Sequence, residues 1–514
     1  MSGPMSRNDS YAAFLAAHAA GRGQVVFRER VADLDTPVGT FLKLAQGKPN
    51  TFLLESVEGG QSRGRYSAVG MAPDLIWRCR DGGAEINRHA LSAPHAFIPE
   101  TRPPLESLRA LIEACRMELP PGLPPCAAGL FGYLGYDMVR EMERLPATNP
   151  DVLGIPDAIL GRPTLIAVFD HVRDILTLCA PVYPDPIQGG EDAARTAYEA
   201  AQARLDEAES ALDRPVPRPA PPAALPAPGT PSSNFTREGF IEAVRRGKEY
   251  IAAGDAFQIV LSQRFQAPFA LPPFALYRAL RRLNPAPFLF HFDFGGFAAV
   301  GASPEILVRL RDGVVTVRPL AGTRRRGATP EEDLALEKEL LADPKERAEH
   351  LMLLDLGRND VGRVAETGSV RVTAQFGIER YSQVMHIGSE VQGKLRGGLS
   401  ALDALVAGFP AGTLSGAPKV RAMEIIEETE PSRRGVYAGC FGYFGADGGM
   451  DTCIGLRMAL VKDGVMSVQA GAGVVADSDP EAEYEETRQK ARALFRAAEE
   501  AVRFAAAAPR QGSG

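Results

Sequence analysis

Short apolar runs separated by glycine and proline recur along the first half of the chain, for example at residues 51–56 and 164–169. Runs of this length and composition are typical of β-strands. Similar runs follow after residue 235, at 257–261, 297–300, 314–317 and 468–475. They alternate with longer stretches of helical periodicity. The pattern predicts a fold that mixes helices with several sheets.

A polar, alanine-rich stretch at residues 191–213 carries few large apolar side chains, which predicts a helix on the surface. It is followed at 214–233 by RPVPRPAPPAALPAPGTPSS, in which proline is too dense for a helix or an inner strand. We therefore expect an extended linker between two domains. The expected divisions are an N-terminal domain over 1–212, the linker over 213–234, a second domain over 235–502 and a flexible tail over 503–514.

Composition and charge exclude several classes of protein. The 514 residues include 45% apolar and 24% charged side chains, as in ordinary globular proteins. Lys and Arg number 57 against 64 Asp and Glu, which gives a formal net charge of −7, and there is no dense basic stripe. A nucleic-acid partner is therefore not expected. No run reaches the roughly 18 apolar residues of a membrane span, so no membrane association is expected either.

The cysteines and the N-terminus indicate the compartment. Six cysteines are scattered without CxxC spacing, which favours reduced thiols over a disulfide framework or a zinc site. Asp9 and Ser10 stand where a signal peptide would carry basic residues, and they predict an N-capped helix instead. We expect a cytoplasmic protein.

Two helix starts in the second half look alike. Asp343-Pro344 and Asp479-Pro480 each place an N-cap residue before a proline at the first helical position. Each dipeptide therefore predicts a helix with a defined beginning.

Each of these helices carries a pair of glutamates three residues apart, so that each pair shares one helical face. The pairs are Glu346 with Glu349, and Glu483 with Glu486. Two such faces could supply oxygen ligands for Mg²⁺. Carboxylates favoured by the helix dipole are the commoner explanation of any single pair, and from spacing alone this second interpretation is preferred.

Two glycine-rich segments could meet an anion. Residues 409–419 (FPAGTLSGAPK) surround Thr413 and Ser415 with small residues, and loops of this kind present backbone N–H groups and hydroxyls. Residues 469–475 (QAGAGVV) predict a strand that ends in a Gly-Ala-Gly turn, where a ligand can approach the backbone. Neither segment matches a nucleotide-binding motif.

Two single residues and one arginine cluster stand out. His386 follows an apolar stretch, where a hydrogen-bonded core histidine is the ordinary interpretation. Arg457 lies in the apolar run DTCIGLRMAL and needs an anionic partner, either a protein carboxylate or a substrate, because burying an unpaired charge is costly. Residues 324–326, three consecutive arginines, predict a solvated loop.

The chain also contains an internal echo. Residues 128–137 (AGLFGYLGYD) and 438–447 (AGCFGYFGAD) agree at seven of ten positions. This similarity indicates either two related strand-turn units or a glycine-rich strand pair that arose twice.

Six segments in a fixed order closely resemble the chorismate-utilising enzymes. They are RPLAGTRRRG (318–327), DPKERAEHLMLLDLGRNDVGRV (343–364), YSQVMHI (381–387), FPAGTLSGAPK (409–419), DTCIGLR (451–457) and QAGAGVVADSDPEAEYEETRQKA (469–491). The resemblance covers residues 235–500 and is specific, because several long motifs occur in register. The first half is similar to the anthranilate-forming members, whose tryptophan-sensing LLES element matches residues 53–56.

The resemblance implies a fold class and an activity. The fold is α+β, with two packed antiparallel β-sheets flanked by helices and an N-terminal half packed onto or sharing the same core. The activity is conversion of chorismate and ammonia to anthranilate and pyruvate. The implied partner is a glutamine amidotransferase subunit that releases the ammonia, so a hetero-oligomer is expected.

Site residues follow from the same resemblance. The family holds Mg²⁺ with residues that match Glu349 and Glu486, with Glu346 and Glu483 close by or bridging through water. Tyr437 and Arg457 match the residues that grip the enolpyruvyl carboxylate. The residues that match the lining of the ring and its carboxylate are Gly322, Thr323, Thr413, Gly471, Ala472 and Gly473.

Glu305 matches the general acid that protonates the departing C4 hydroxyl. Such a carboxyl group must be buried and largely uncharged to work near neutral pH. His386 matches a residue of the later, aromatising phase, as a base or as a positioning group. A tryptophan site for feedback inhibition is implied at Glu55, Ser56, Pro287, Phe288, Leu289 and Cys453.

Two positions separate the possible activities. Gln258 stands where water-adding members carry a lysine, and Ala321 stands where aminodeoxychorismate synthases carry one. No cysteine lies on the GxCxG-like elbow of a glutaminase; Cys440 is nearest, and its position in the echo predicts a structural role. The alternatives are aminodeoxychorismate synthase component I and a non-catalytic tryptophan-binding regulator.

Overall fold

The structure is a computed structural model that describes residues 11–58, 62–183, 190–217, 229–381 and 384–507. The predicted N-cap at Asp9 and Ser10, the centre of the predicted linker (218–228) and the last residues of the predicted tail (508–514) lie outside these ranges. None of the described helices combines the length and the apolar character needed to cross a bilayer.

Twelve α-helices lie in the described ranges: α1 (Tyr11–Ala19), α2 (Pro37–Leu44), α3 (Pro104–Ala114), α4 (Glu191–Leu212), α5 (Arg237–Ala252), α6 (Pro273–Leu283), α7 (Pro330–Ala342), α8 (Pro344–Gly362), α9 (Ala401–Gly408), α10 (Gly412–Ser415), α11 (Lys419–Thr429) and α12 (Pro480–Ala507). Both predicted starts are confirmed. The Asp343 carboxylate accepts the backbone N–H of Lys345 at 2.9 Å, and Asp479 accepts that of Ala482 at 2.8 Å. Helix α12 continues to Ala507, so residues 503–507 are helical and not the start of a flexible tail.

The described strands are β1 (Gln24–Val31), β2 (Thr51–Glu55), β3 (Val57–Glu58), β4 (Ser62–Arg63), β5 (Tyr66–Arg80), β6 (Gly83–Asn87), β7 (Ile98–Pro99), β8 (Gly129–Leu134), β9 (Ala158–Asp170), β10 (Ile175–Val182), β11 (Ser232–Ser233), β12 (Gln258–Pro268), β13 (Phe288–Asp293), β14 (Ala298–Ser303), β15 (Ile306–Arg311), β16 (Val314–Val317), β17 (Leu320–Arg325), β18 (Arg371–Arg380), β19 (Val384–Lys394), β20 (Gly416–Ala417), β21 (Cys440–Gly445), β22 (Met450–Ile454), β23 (Met458–Lys462) and β24 (Val465–Val474). The strands predicted from apolar runs are present, with ends that differ by a few residues.

Twenty-two strands form one hydrogen-bonded network that folds into two antiparallel sheets. Sheet I runs β1-β10-β9-β5-β2-β13-β14-β23-β24-β12. Sheet II runs β6-β5-β9-β8-β21-β22-β15-β16-β19, and β17 and β18 both pair with β19. The long strands β5 and β9 pass from one sheet to the other. Strand β5 turns at Ala72, where φ is 51° and the register shifts.

Three apolar layers hold the sheets and helices together. One layer lies between the sheets and contains Phe52 and Phe290 from sheet I beside Phe131 and Phe441 from sheet II. A second layer packs α2, α4, α6 and α12 on the outer face of sheet I. A third packs α3, α8 and α9 on the outer face of sheet II. The predicted fold class is confirmed.

The two halves of the chain share this core. Strand β2 pairs with β13, and β8 pairs with β21, so each sheet joins a block of strands from before the predicted linker to a block from after it. Strands β8 and β21 are the echo segments, and Gly132 lies opposite Gly442 at the centre of their pairing. This symmetry favours two related strand-turn units over a coincidence.

Candidate active site

Glu305 lies between β14 and β15, only 7% exposed. Its Oε1 accepts the Thr413 hydroxyl at 3.1 Å and the backbone N–H of Leu320 at 3.4 Å. Burial raises the pKa of Glu305 to about 8, and these two hydrogen bonds oppose the rise. The expected burial is confirmed, and Glu305 is largely protonated at neutral pH.

His386 on β19 faces β17. Its Nδ1 lies 2.9 Å from the carbonyl oxygen of Gly322 and 3.1 Å from the hydroxyl of Thr323. A carbonyl can only accept, so Nδ1 carries the proton and Nε2 keeps its lone pair. Burial lowers the pKa of His386 to about 4, which leaves the imidazole neutral. Both partners belong to residues that the resemblance places at the substrate, Gly322 and Thr323, which distinguishes His386 from an ordinary core histidine.

Arg457 stands directly before β23 in a left-handed conformation with φ of 51°, which L-residues rarely adopt. Burial lowers the pKa of its guanidinium, and Tyr437 and Glu486 oppose this effect from nearby. Within the described ranges, Arg457 forms no ion pair and no side-chain hydrogen bond. Of the two partners that the sequence left open, the protein carboxylate is therefore absent from this part of the chain.

Tyr437 lies beside Arg457 and the Gly-Ala-Gly segment of β24. The backbone N–H of Gly471 donates to the Tyr437 hydroxyl. A Cβ on Gly471 would lie 2.8 Å from that oxygen, and a Cβ on Gly473 would lie 2.5 Å from the amide nitrogen of Gln258. The predicted Gly-Ala-Gly turn is wrong, because residues 471–473 lie inside β24 and pair with β12. The two glycines let polar side chains approach the backbone of this strand. Ala472, between the two glycines, is buried.

The four predicted glutamates come from the first two turns of α8 and α12, and Glu486 of α12 acts electrostatically on Glu349 of α8. Burial raises the pKa of Glu349, and the charges of Glu346 and Glu486 raise it further. Burial also raises the pKa of Glu483, with a further contribution from Glu486 and an opposing hydrogen bond from Ser478. The structure thus brings the two pairs to one place.

Two cations that the sequence did not assign to this site hold the cluster. Lys490 lies 2.7 Å from Glu486 and donates to the carbonyl oxygen of Gly471 at 2.9 Å. Arg324 lies 3.1 Å from Glu346 and 2.8 Å from Asp343. A lysine four residues after a glutamate is common on helix surfaces, so spacing gave no signal for Lys490.

The expectation of a solvated loop at residues 324–326 is wrong. Arg324 and Arg325 belong to β17, and the three guanidinium groups pair with acids of α7 or its flanks. Arg325 pairs with Glu332, and Arg326 pairs with Asp333. The strand could not be recognised from this polar run, because the charges of its arginines are paired with acids of the following helix.

The donor set suits Mg²⁺ in its chemistry, since carboxylate oxygens are the ligands that this ion prefers. Glu349 has no ion-pair partner among the described residues, whereas Glu346 and Glu486 are paired with cations. Over the same residues, no three His, Cys, Asp or Glu side chains are arranged to hold a metal ion. The carboxylates therefore lie near one another without the arrangement of a complete metal site.

A separate cavity of 1390 Å³ lies where the two halves of the chain meet, between β2, β13 and β22. All six residues of the implied tryptophan site line it: Glu55, Ser56, Pro287, Phe288, Leu289 and Cys453. The Glu55 carboxylate is bound by Arg281 at 2.8 and 2.9 Å and by the Tyr277 hydroxyl at 2.5 Å. Glu55 therefore ties β2 to α6 at the edge of this cavity.

All six cysteines are buried free thiols. Burial raises the pKa of Cys440 to about 12, which makes it a poor nucleophile. Its backbone pairs with Leu134 and Ile454 inside sheet II. These observations support the structural role expected for Cys440.

A family model described as chorismate binding enzyme matches residues 52–496 of the chain. The chain belongs to the chorismate binding enzymes. This result confirms the family that the six motifs indicated.

Chorismate binding enzymes similar to this chain over nearly its whole length are named anthranilate synthase component 1. The protein from Cereibacter sphaeroides is 59% identical over 501 residues, which cover 96% of this chain and 98% of the relative. The protein from Thermus thermophilus is 49% identical over 469 residues, covering 91% and 96% of the two chains.

Solved structures agree with the fold. Anthranilate synthase component I from Streptococcus pneumoniae superposes with a TM-score of 0.72 at 36% identity, covering 90% of this chain and 98% of the other. The menaquinone-specific isochorismate synthase from Escherichia coli gives 0.69 at 21% identity, covering 94% and 97%. The second likeness concerns the fold alone.

Proposed function

We propose that the chain is the synthase subunit of an anthranilate synthase, a lyase that converts chorismate and ammonia to anthranilate, pyruvate and water. The observation that carries the proposal is Glu305, a buried carboxyl group that remains protonated at neutral pH. Such a group can protonate a departing hydroxyl. The similarity to anthranilate synthase component 1 supports the choice of reaction.

Chorismate carries two carboxylates, and the site offers a partner for each. The unpaired guanidinium of Arg457, with the Tyr437 hydroxyl, would bind the enolpyruvyl carboxylate by charge-assisted hydrogen bonds. Glu346, Glu349, Glu483 and Glu486 would hold Mg²⁺, whose positive charge, when it is bound, stabilises the ring carboxylate. Gly322, Thr323, Thr413 and residues 471–473 of β24 would line the ring.

In the first phase, ammonia forms a bond to C2 while the C4 hydroxyl leaves. Glu305 gives its proton to that oxygen, so the leaving group departs as water, and the new ammonium group at C2 releases one proton to become the amine. Both double bonds of the ring move by one position, away from C2 and toward C4. Lysine is absent at 258 and 321, which supports ammonia as the nucleophile, since an amine there would compete or activate water.

In the second phase, the bond from C3 to the enolpyruvyl oxygen breaks and C2 loses its proton, which makes the ring aromatic. The enolpyruvate gains a proton and leaves as pyruvate. His386 suits the role of base, because its Nε2 lone pair is free while Nδ1–H is held by the Gly322 carbonyl. Proton loss and gain balance, and no oxidant is needed.

We further propose that ammonia comes from a separate glutamine amidotransferase subunit in a hetero-oligomer, and that tryptophan inhibits the enzyme from the cavity between β2, β13 and β22. Buried cysteines of raised pKa support the first point, because none is poised to hydrolyse glutamine. The six residues gathered in the cavity support the second. Free thiols also support a cytoplasmic enzyme.

The test is product analysis with the purified chain, chorismate, Mg²⁺ and an ammonium salt at mildly alkaline pH. We expect fluorescent anthranilate and one pyruvate for each anthranilate, without the amidotransferase subunit. A non-aromatic amino product without pyruvate would instead identify an aminodeoxychorismate synthase. Intact chorismate, with tryptophan still bound, would identify a regulator and reject catalysis.

A further inference from the structure

Three side chains separate the large cavity from the proposed catalytic groups: Arg318, Glu379 and Tyr381. Arg318 lies 2.7 Å from Oε1 of Glu379, and the Tyr381 hydroxyl donates to Oε2 at 2.8 Å. Both carboxylate oxygens of Glu379 are therefore held by different partners. A carboxylate fixed in this way has a defined position.

This carboxylate is connected to His386. Glu379 lies directly opposite His386 in the pairing of β18 with β19. The Tyr381 ring, which Glu379 holds through its hydroxyl, meets the imidazole edge to face with 5.6 Å between ring centroids. Tyr381 is buried, so the contact bounds one side of the imidazole.

The same carboxylate reaches toward Glu305 across one glycine. Gly388 pairs with Leu320, whose N–H donates to Glu305. A Cβ on Gly388 would lie 2.4 Å from Oε1 of Glu379. Glu379 thus lies over the strand pair that supports Glu305, and its charge adds to burial in raising the pKa of Glu305.

Few other charged or titratable groups face Glu305. They are Arg318 before β17, Tyr381 after β18, and Asp360 on α8 with its partner Lys419. Lys419 lies 3.0 Å from both oxygens of Asp360, so that pair is neutral as a unit. Glu379 is the acid nearby whose charge acts on Glu305.

We propose that Glu379 is a positioning residue for both catalytic groups, seating the Tyr381 ring against His386 and placing a fixed negative charge near Glu305. The inference rests on the proposed function, because it concerns the same acid and base. It assigns a task to three residues that contact neither the glutamate cluster nor Arg457 in the described structure.

The test compares pH profiles of the ammonia-dependent reaction, with kcat/KM expressed per free NH₃. Glu379→Gln keeps the shape of the side chain but removes its charge, so the pKa of Glu305 falls. The decline of kcat/KM at high pH should then begin at least half a pH unit lower than in the wild type. Well above this transition, the variant should therefore be about threefold slower than the wild type. Arg318→Gln leaves the Glu379 charge unpaired and should move the decline the opposite way.

Glu390→Gln is the matched control, because Glu390 on β19 bonds to Thr373 and Gln392 and not to the catalytic groups. Its profile should match that of the wild type, and Glu379→Asp, which keeps the charge, should restore most of the normal profile. Unshifted profiles in both Glu379→Gln and Arg318→Gln would overturn the inference. If the wild type forms no anthranilate, the proposed function is wrong, which is a different outcome. If Glu379→Gln does not fold, the pH profile of Arg318→Gln alone tests the inference.

Discussion

Glu305 is an ordinary carboxylic acid that burial turns into a proton donor. Removal from water disfavours its charged form, and the hydrogen bonds from Thr413 and Leu320 recover part of that penalty. The folded chain therefore binds a proton at pH 7 that the unfolded chain releases. A functional group of this kind is kept at a cost in stability.

Glu305→Gln separates activity from stability. Loss of the acid should lower kcat by about 10² to 10⁴. The raised pKa means that stability from the protonated acid is complete below the ordinary pKa of 4.5 and is lost as pH rises toward about 8. Near pH 8 the variant should therefore be more stable than the wild type, by up to about 4 kcal/mol, and near pH 5 the two should be similar. Steady-state kinetics measures the loss of kcat, and denaturant unfolding at both pH values measures the difference in stability between variant and wild type. If this difference were zero at both pH values, the burial argument would be contradicted.

Arg457 is the second residue whose environment predicts its task. Arg457→Ala removes an unpartnered guanidinium, so the KM for chorismate should rise by about 30- to 150-fold, the equivalent of about 2 to 3 kcal/mol. Steady-state kinetics measures this rise. Arg311→Ala is the control, since Arg311 pairs with Asp451 away from the catalytic groups. Normal turnover of chorismate by Arg457→Ala would remove the carboxylate assignment.

At the scale of elements, the sequence predicted the helix starts and strands that depend on residues close together in the chain. The N-caps at Asp343 and Asp479, and the apolar runs of the strands, depend on neighbours a few residues away. The passage of β5 and β9 between two sheets could not be predicted, because it depends on partners nearly a hundred residues apart. Residues 324–325 likewise form a strand because they pair with Met385 and Val384 of β19, which are distant in the sequence.

The echo strands β8 and β21 meet at two glycines for a steric reason. A Cβ on Gly132 would lie 1.9 Å from the carbonyl oxygen of Ile159, and one on Gly442 would lie 2.1 Å from that of Asp451. Glycine at these two positions lets the neighbouring strands pack closely.

Gly442→Ala should therefore destabilise the fold by about 2 to 4 kcal/mol, because backbone and not a flexible side chain must move. Gly296→Ala is the control, since a Cβ there would meet nothing within 4 Å, and it should change stability by less than about 0.5 kcal/mol. Chemical denaturation measures both. Equal stability of the two variants would mean that the strands relax without penalty.

At the scale of the whole molecule, the two halves are joined edge to edge in both sheets, and the cavity lies at their junction. By resemblance, the sequence motifs indicated residues that line this cavity and residues of the candidate active site. They did not reveal Lys490, Glu379 or Tyr381 as parts of the site, because those contacts arise from register and helix placement. The position of the cavity fits control by a ligand that favours one arrangement of the halves.

Phe288→Ala tests that control. Removing an aromatic side chain from the cavity should weaken inhibition by tryptophan at least about tenfold, since burying such a side chain contributes about 1.5 to 3 kcal/mol. Activity without tryptophan should stay within about twofold of the wild type. Inhibition curves measure both, with Phe504→Ala on the surface as control. Unaltered inhibition would place the tryptophan site elsewhere.

The account depends most on two pairs of glutamates, from α8 and α12, that bind a divalent ion together with chorismate. Calorimetric titration of Mg²⁺ into the metal-free chain, with chorismate and without ammonia, tests this directly. We expect one Mg²⁺ per chain for the wild type and for Glu485→Gln, whose carboxylate pairs with Arg488 on the same helix. We expect no binding for the double variant Glu349→Gln with Glu486→Gln. Binding of unchanged affinity by the double variant would contradict the account.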